Sequence, residues 1–378
     1  MINKIIIHSV THFTTYNFRL PLIKELQSQG TEVVILGKSD EYTKLLNDEG
    51  FRTIDSGISI DGLNPIQEIK WVFRLKKIFK EENPDLVHHY TPKPVIFGSI
   101  ASGILGIKTI SSISGLGYAF NLSKFHPLKI ISKLLYYISN YFTDKYIFQN
   151  EDDMEYFKKS GITSEKKSNL IVSSGIDMEK YSDSKCKKER DKIIRFTFIG
   201  RLLYEKGIKD FLDAALILVK KHRNIEFLII GDIDYNNPNI MNKDELKTYL
   251  NKSNKIKFSG QVIDVRPYLC KTSVFVLPSY YREGVPRSIL EAMAFKKPII
   301  TCNSIGCKET TRHKYNGFLV EKGNHNQLAS YMEFFIKNVS SIKSMGWRSY
   351  DMALHKFNSK IVTKKTLNLY LETIQCVE

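Results

Sequence analysis

Short apolar runs alternate with longer stretches of helical periodicity along most of the chain. In the first half, runs at 4–8 (KIIIH), 32–36 (EVVIL) and 86–89 (LVHH) predict strands, and the stretches at 20–29, 41–48 and 66–81 predict helices. The second half repeats the pattern, with strands predicted at 194–198, 226–230, 255–258, 274–277 and 298–301. Runs that are apolar at nearly every position, without polar alternation, are those of parallel strands covered on both faces. The pattern therefore predicts an α/β fold of two Rossmann-like, doubly wound domains facing each other across a cleft. SDSKCKKERDK at 182–192 is polar and reads as a linker. The expected domains are 1–182 and 193–357, joined by 183–192, with 358–378 as a terminal helix placed to pack back on the first domain. No short repeat is present, which excludes a solenoid.

Candidate chemistry concentrates at 274–294, VFVLPSYYREGVPRSILEAMA. The buried run Val274 to Leu277 is stopped by Pro278; Gly284 lets a ligand approach the backbone, and Pro286 suits the start of the helix that Ser288, Ile289 and Leu290 continue. A strand end thus meets a helix start, and such a junction binds anions through free N–H groups and the helix dipole. Glu283 belongs to the loop, and Glu291 is expected roughly 7 Å along the helix. Carboxylates accept hydrogen bonds from hydroxyls, so the pair suits a sugar on one side of a diphosphate and a ribose on the other. The plain alternative for either residue alone is a solvated surface glutamate.

At 378 residues, with 42% hydrophobic and 25% charged residues, the chain is long enough for two cored domains and is not of disordered composition. The net charge of +16 is uneven: residues 186–378 carry +14 of it. A basic half attracts an anionic nucleotide, anionic lipid or nucleic acid, although lysine-rich compositional bias accounts for part of the excess. Cys186, Cys270, Cys302, Cys307 and Cys376 show no CxxC or metal-ligand spacing, which predicts free thiols in a reducing compartment. MINKIIIHSVTHF lacks the apolar core of a signal peptide, and the least polar stretch, 95–107, is too short to span a bilayer and holds three glycines. A cytoplasmic protein without a transmembrane helix is expected.

One stretch has two open readings. NLSKFHPLKIISKLLYYISNYF at 121–142 sets Lys124, Lys129 and Lys133 among Ile130, Ile131, Leu134, Leu135, Tyr137, Ile138 and Tyr141. It is either a basic amphipathic helix lying on an anionic membrane or a core-facing helix with its lysines outward.

Several segments together carry a family resemblance: GRLLYEKGIKDFLDA at 200–214, LIIGD at 228–232, FSGQVIDV at 258–265, Glu283 and Glu291 separated by seven residues, and IGCKETTRHKYNGFLV at 305–320. The chain resembles glycosyltransferase family 4, of the two-domain GT-B fold. YNFRLPLIKEL at 16–26, HHYTPKP at 88–94 and SGLGYAF at 114–120 narrow the likeness to bacterial enzymes that extend undecaprenyl-diphosphate-linked oligosaccharides, such as N-acetylgalactosaminyltransferases acting on the bacillosamine-linked lipid.

The resemblance implies a retaining transfer of a hexose or N-acetylhexosamine, GalNAc foremost, from a UDP-sugar to a polyprenyl-diphosphate-linked saccharide. It places the chain peripherally on the cytoplasmic face of the inner membrane. Catalytic roles fall to Glu283, Arg201 and Lys206. Donor contacts fall to Gly200, Arg201, Lys206, Val262, Glu283, Gly284, Val285, Pro286, Ser288, Ile289 and Glu291. The two cations suit a departing diphosphate on elementary grounds as well, so no metal and no cofactor are expected. Asp232 and Asp234 form a D-x-D, but two close carboxylates alone make no metal site. Glu309 resembles a donor-side position and equally suits a helix start.

The sequence departs from the family at HSVTHFTTYNF, where many members have Gly-Gly, and at Ser114, where many have His. A serine cannot carry a proton's charge, so acid–base catalysis by a histidine there is unsupported. His8, His12, His88 and His89 lie near predicted strand ends and read as structural. Tyr16, Asn17, Arg19, Lys93 and Ser114 are the acceptor-side candidates, with Arg19 and Lys93 matched to its diphosphate. The rival functions are a soluble-acceptor transferase, a UDP-sugar epimerase and, more remotely, a basic nucleic-acid-binding protein, for which no recognised module is present.

Overall fold

A computed structural model describes residues 2–60, 64–123, 125–183, 186, 193–233 and 239–375. The chain divides into two units, residues 1–175 with 359–378, and residues 176–358.

In the first unit the order is β1 (Lys4–Thr11), α1 (His12–Ser28), β2 (Glu32–Lys38), α2 (Tyr42–Asp48), β3 (Arg52–Asp55), α3 (Pro65–Glu82), β4 (Leu86–Tyr90), α4 (Ser99–Ile104), β5 (Lys108–Ile113), α5 (Gly117–Asn121), α6 (Pro127–Asn140), β6 (Lys145–Phe148), α7 (Glu151–Lys159) and β7 (Ser168–Leu170). All seven strands are parallel, in the order β3-β2-β1-β4-β5-β6-β7. Alternate side chains of β1 feed opposite faces: Ile5 and Ile7 join one core cluster, and Ile6 joins another with Trp71, Leu75 and Phe79 of α3. The core is polar in places. His8 and His89 are register partners on neighbouring strands, fully buried, with their Nδ1 atoms 3.0 Å apart. Burial holds His8 down at about 3 and His89 well below the usual imidazole range. Both rings are neutral; His89 lies one residue from the end of β4, as expected, whereas β1 runs on to Thr11 and puts His8 inside the strand.

In the second unit the order is β8 (Ile194–Ile199), α8 (Ile208–Val219), β9 (Ile225–Ile230), α9 (Lys243–Lys252), β10 (Ile256–Phe258), α10 (Arg266–Lys271), β11 (Val274–Leu277), α11 (Arg287–Ala294), β12 (Ile299–Cys302), β13 (Gly317–Val320), α12 (His325–Lys337) and α13 (Val339–Met352). Its six strands are parallel, in the order β10-β9-β8-β11-β12-β13. Its centre is aromatic and dry: Phe196 stacks on Phe227 at 5.4 Å, and Phe211 meets both Phe227 and Phe198. Each such side chain contributes about 1.5–3 kcal/mol by leaving water.

The last helix, α14 (Ser359–Gln375), belongs to the first unit, where it packs on α1 and its Tyr370 hydroxyl meets His88 Nδ1 at 2.5 Å. The division at 175/176 places residues 176–182 in the second unit, ahead of the polar segment expected to separate the domains. The expectation of free thiols fails at one pair: Cys186 and Cys270 form a disulfide, their Cα atoms 5.3 Å apart. Their 84-residue separation hid it, because a bridge between distant half-cystines depends on the fold. Cys302 and Cys307 are free and buried, and burial pushes both thiols up, Cys307 to about 11. Cys376 lies outside the described residues.

Candidate active site

The strand order of the second unit reverses between β8 and β11, and open parallel sheets bind ligands at the carboxyl ends of strands where the order reverses. Two loops meet there. Gly200 and Arg201 follow β8; Pro278 to Pro286 follow β11. Gly207, at φ +78° before α8, makes the close approach possible, because a Cβ on it would lie 2.3 Å from the Pro278 carbonyl oxygen. Gly306 repeats the device after β12, with a virtual Cβ 2.1 Å from the Gly284 oxygen. The backbone of three loops is therefore packed around Glu283 and Gly284.

Lys206 Nζ lies 2.6 Å from both carboxylate oxygens of Glu283, and the Ser279 hydroxyl donates to Oε1 at 3.1 Å. The pair is mostly shielded, with side chains 12% and 19% exposed. Lys206 also stands 5.5 Å from the centre of the Tyr281 ring, whose hydroxyl is within electrostatic reach of Arg201. Arg201 itself is exposed. Arg201, Lys206 and Glu283 thus share one site at the top of one sheet, held together by Ser279 and Tyr281, two contacts the sequence did not single out.

Glu291 sits in the middle of α11, 9% exposed, and burial raises its carboxyl above the usual range against the pull of Arg287. Arg287 Nε is 3.3 Å from its Oε1, and the Tyr181 hydroxyl stands within electrostatic reach of it. Arg287 also lies 5.4 Å from the Tyr181 ring centre. Lys180 stands within electrostatic reach of Glu291, Asp264 and Arg266. Lys180 and Tyr181 precede the expected linker and carried no motif; only their place in the fold brings them to Glu291. Gly284, Val285 and Pro286 are buried, Ser288 and Ile289 lie in the first turn of α11, and the first N–H groups of that helix cannot bond within it. Val262 lies in the loop from β10 to α10, beside the Asp264–Arg266 ion pair at 2.8 Å.

The acceptor-side candidates do not form one cluster. Lys93 Nζ is 2.6 Å from Glu68 and donates to the Ser59 carbonyl, so its charge is already matched. A diphosphate there would have to displace Glu68 from Lys93, as it would Glu283 from Lys206. Arg19 is 8% exposed, its guanidinium 3.9 Å above the Tyr90 ring, in a cavity lined by His88, Ser112, Ser173, Thr363 and Thr366. Asn17 bonds within α1 to the Phe13 carbonyl, Tyr16 packs against Tyr42, and Ser114 follows β5, half-buried.

His12 is buried and bonded to Thr43 and the Ile54 carbonyl; His88 is buried against Tyr370 and Ser112. Glu309 is paired with Lys356 at 3.0 Å. Asp232 is exposed, and Asp234 lies outside the described residues. Among the described residues, no three His, Cys, Asp or Glu side chains are grouped as a metal site.

Residues 177–352 match the family described as Glycosyl transferases group 1, and residues 6–150 match Glycosyl transferase 4-like. The chain is 29% identical over 375 residues to the N,N'-diacetylbacillosaminyl-diphospho-undecaprenol alpha-1,3-N-acetylgalactosaminyltransferase of Campylobacter jejuni, covering 96% of each chain. It is 27% identical to the Escherichia coli UDP-Gal:alpha-D-GlcNAc-diphosphoundecaprenol alpha-1,3-galactosyltransferase, covering 82% of this chain and 81% of that one. In fold it is similar to a glycosyltransferase from Rickettsia africae (TM-score 0.82, 20% identity, 99% of each chain). It is also similar to Anabaena HepE in complex with UDP-glucose (TM-score 0.79, 17% identity, 98% of this chain and 100% of that one). Two parallel Rossmann-like sheets, a charged site at the reversal point of the second, and both family matches make this chain a GT-B glycosyltransferase of family 4.

Proposed function

We propose that the chain transfers a hexose or N-acetylhexosamine, with GalNAc the first candidate, from a UDP-sugar to a polyprenyl-diphosphate-linked saccharide. The transfer retains anomeric configuration, needs no metal, and takes place at the cytoplasmic face of the inner membrane. The observation that carries this reading is the Lys206–Glu283 pair at the point where the sheet order reverses. A diphosphate entering there competes for Lys206 and joins Arg201, and Glu283, still held by Ser279, is released to accept from the sugar hydroxyls. Glu291 accepts from the ribose, with Tyr181 and Arg287 fixing its orientation.

In the chemical step the bond from the anomeric carbon to the donor phosphate oxygen breaks with its electron pair. The acceptor hydroxyl oxygen bonds to the same face of that carbon, and its proton passes to the departing phosphate oxygen. Fixed cations supply the charge stabilisation that a metal would otherwise give. The lipid-linked acceptor is supported by the names of the relatives in C. jejuni and E. coli, and GalNAc by that of the C. jejuni relative, the E. coli name giving galactose. The test incubates the chain with a panel of UDP-sugars and short polyprenyl-diphosphate saccharides, following products by mass and anomeric linkage by NMR, with and without chelator. One added residue in α-linkage, insensitive to chelator, is the expected result. An inverted linkage, or activity lost to chelator and restored by divalent ion, overturns the mechanism.

A further inference from the structure

The first unit carries an apolar surface that the fold leaves uncovered. On α6 only Tyr136 and Ser139 are buried. Ile130, Ile131, Leu134, Tyr137 and Ile138 face outward, Leu134 at 57% exposure, and Phe125 and Tyr141 stand exposed at the two ends. α6 sets Tyr136 and Leu135 against the core, as one of its two readings expects, and leaves most of its other apolar residues in solvent, as the other does. Lys124 lies outside the described residues and Lys129 Nζ donates to the Phe120 and Leu122 carbonyls, but Lys133 is exposed on the same face, and 121–143 contains no acidic residue.

A second stripe lies on α3. Trp71, Leu75 and Phe79 pack inward, while Ile66, Ile69 and Phe73, spaced three and four apart on one side of the helix, are 66%, 57% and 64% exposed. Lys70, Lys77 and Lys80 are exposed around them. Both helices pack on the segment 94–104, which lies between them, so the stripes flank it on the same face of the sheet. An isolated exposed leucine needs no explanation; two helices exposing Ile, Leu, Phe and Tyr among lysines do.

We infer that this face is the footing by which the chain docks on an anionic lipid bilayer, α6 and α3 each setting an apolar stripe into the headgroup region with lysines against the lipid phosphates. The absence of acidic residues from α6 matches an anionic surface, and aromatic residues at its ends suit the interface between headgroup and acyl chain. The inference rests on the reading of a lipid-borne acceptor, since that substrate requires the enzyme at a membrane.

The test measures flotation of the full chain with phosphatidylcholine vesicles and with vesicles containing phosphatidylglycerol. It compares the wild type with Ile131→Glu/Leu134→Glu on α6, Ile69→Glu/Phe73→Glu on α3, and the four together. All four sites are exposed, and unchanged thermal unfolding confirms folding. Binding is expected only with phosphatidylglycerol, each pair weakening it about tenfold and the four abolishing it. Transfer to a detergent-solubilised acceptor should be unchanged in every variant. Equal binding by all variants, or no binding by the wild type, overturns the docking face. Loss with the α6 pair alone overturns the two-helix footing. A wild-type dimer that the variants dissociate, without vesicle binding, assigns the face to a second copy of the chain. Vesicle binding without any sugar transfer leaves the docking face standing and removes the proposed function.

Discussion

The two units are built on the same plan and filled differently. The second has an aromatic centre around Phe196, Phe227 and Phe275, and the Lys206–Glu283 pair stands at the carboxyl end of its sheet. The first places His8, His88, His89, Ser99, Ser102 and Ser111 inside the fold and leaves isoleucines and a phenylalanine on its outside. A packed apolar centre holds the loops around Glu283 to one geometry, which a fixed nucleotide-sugar donor requires. The first unit spends buried volume on imidazoles that must stay neutral, and so its stability depends on pH.

The largest expected effect tests the rigid half. Phe275→Ala empties a fully buried position in β11 directly before the site loop and should cost about 3–5 kcal/mol, read as a lower urea midpoint. The corresponding change at Phe73, on the exposed face of the first unit, should leave the midpoint almost unmoved. Next is the site itself: Lys206→Ala should lower kcat about 100- to 1,000-fold, the range for removing one group that stabilises developing charge. A loss confined to KM would show that Lys206 serves binding alone.

The third expectation separates the units by pH. The unfolded chain takes up protons on its histidines below pH 6.5, the ordinary value, whereas folded His8 does so only near 3 and His89 is likewise held down. Their contribution is complete above 6.5 and is lost as the pH falls through that window, by up to about 1.4 kcal/mol per pH unit for each ring. Glu291 acts in the opposite sense: its raised carboxyl favours the folded state as the pH falls toward the ordinary 4.5. Trp71, buried 5.7 Å from His8, reports the first unit when Trp347→Phe removes the other tryptophan. Its urea midpoint should fall between about pH 7 and about pH 5; an unchanged midpoint would contradict the neutral buried pair.

The fourth effect is the smallest. Tyr181→Phe removes the hydroxyl that faces Glu291 and keeps the ring beside Arg287, so donor KM should rise about three- to tenfold with kcat nearly unchanged.

The same contrast governs what the sequence disclosed. β11 falls where the run Val274 to Leu277 ends at Pro278, and Lys206 meets Glu283, 77 positions away, because each lies in a loop after a strand and β8 and β11 are parallel neighbours in the sheet. The first unit was less legible. α1 begins at His12, capped by the Thr11 hydroxyl, and runs through Pro21, well before the expected start at position 20. Pro21 reads as a helix boundary in sequence, and the cap ten residues upstream carries no apolar periodicity. β5, β6 and β7, rich in Ser, Thr and Lys, did not announce themselves as strands. The Glu68 partner of Lys93, 25 positions away, carries no motif that would have announced the pair. Tyr181 and the Cys186–Cys270 bridge depend on contacts between distant segments and have no local signature.

The most direct test of the central claim, that Glu283 orients the donor sugar while Lys206 and Arg201 take the charge of the leaving UDP, is the transfer rate of Glu283→Gln with a UDP-sugar and a polyprenyl-diphosphate saccharide. Glutamine keeps the size of the side chain and loses the charge held by Lys206. Binding of UDP alone should be retained or tightened, because Lys206 is freed for the diphosphate, and transfer should fall at least about 100-fold. Wild-type transfer by the folded variant would contradict the assignment of the site.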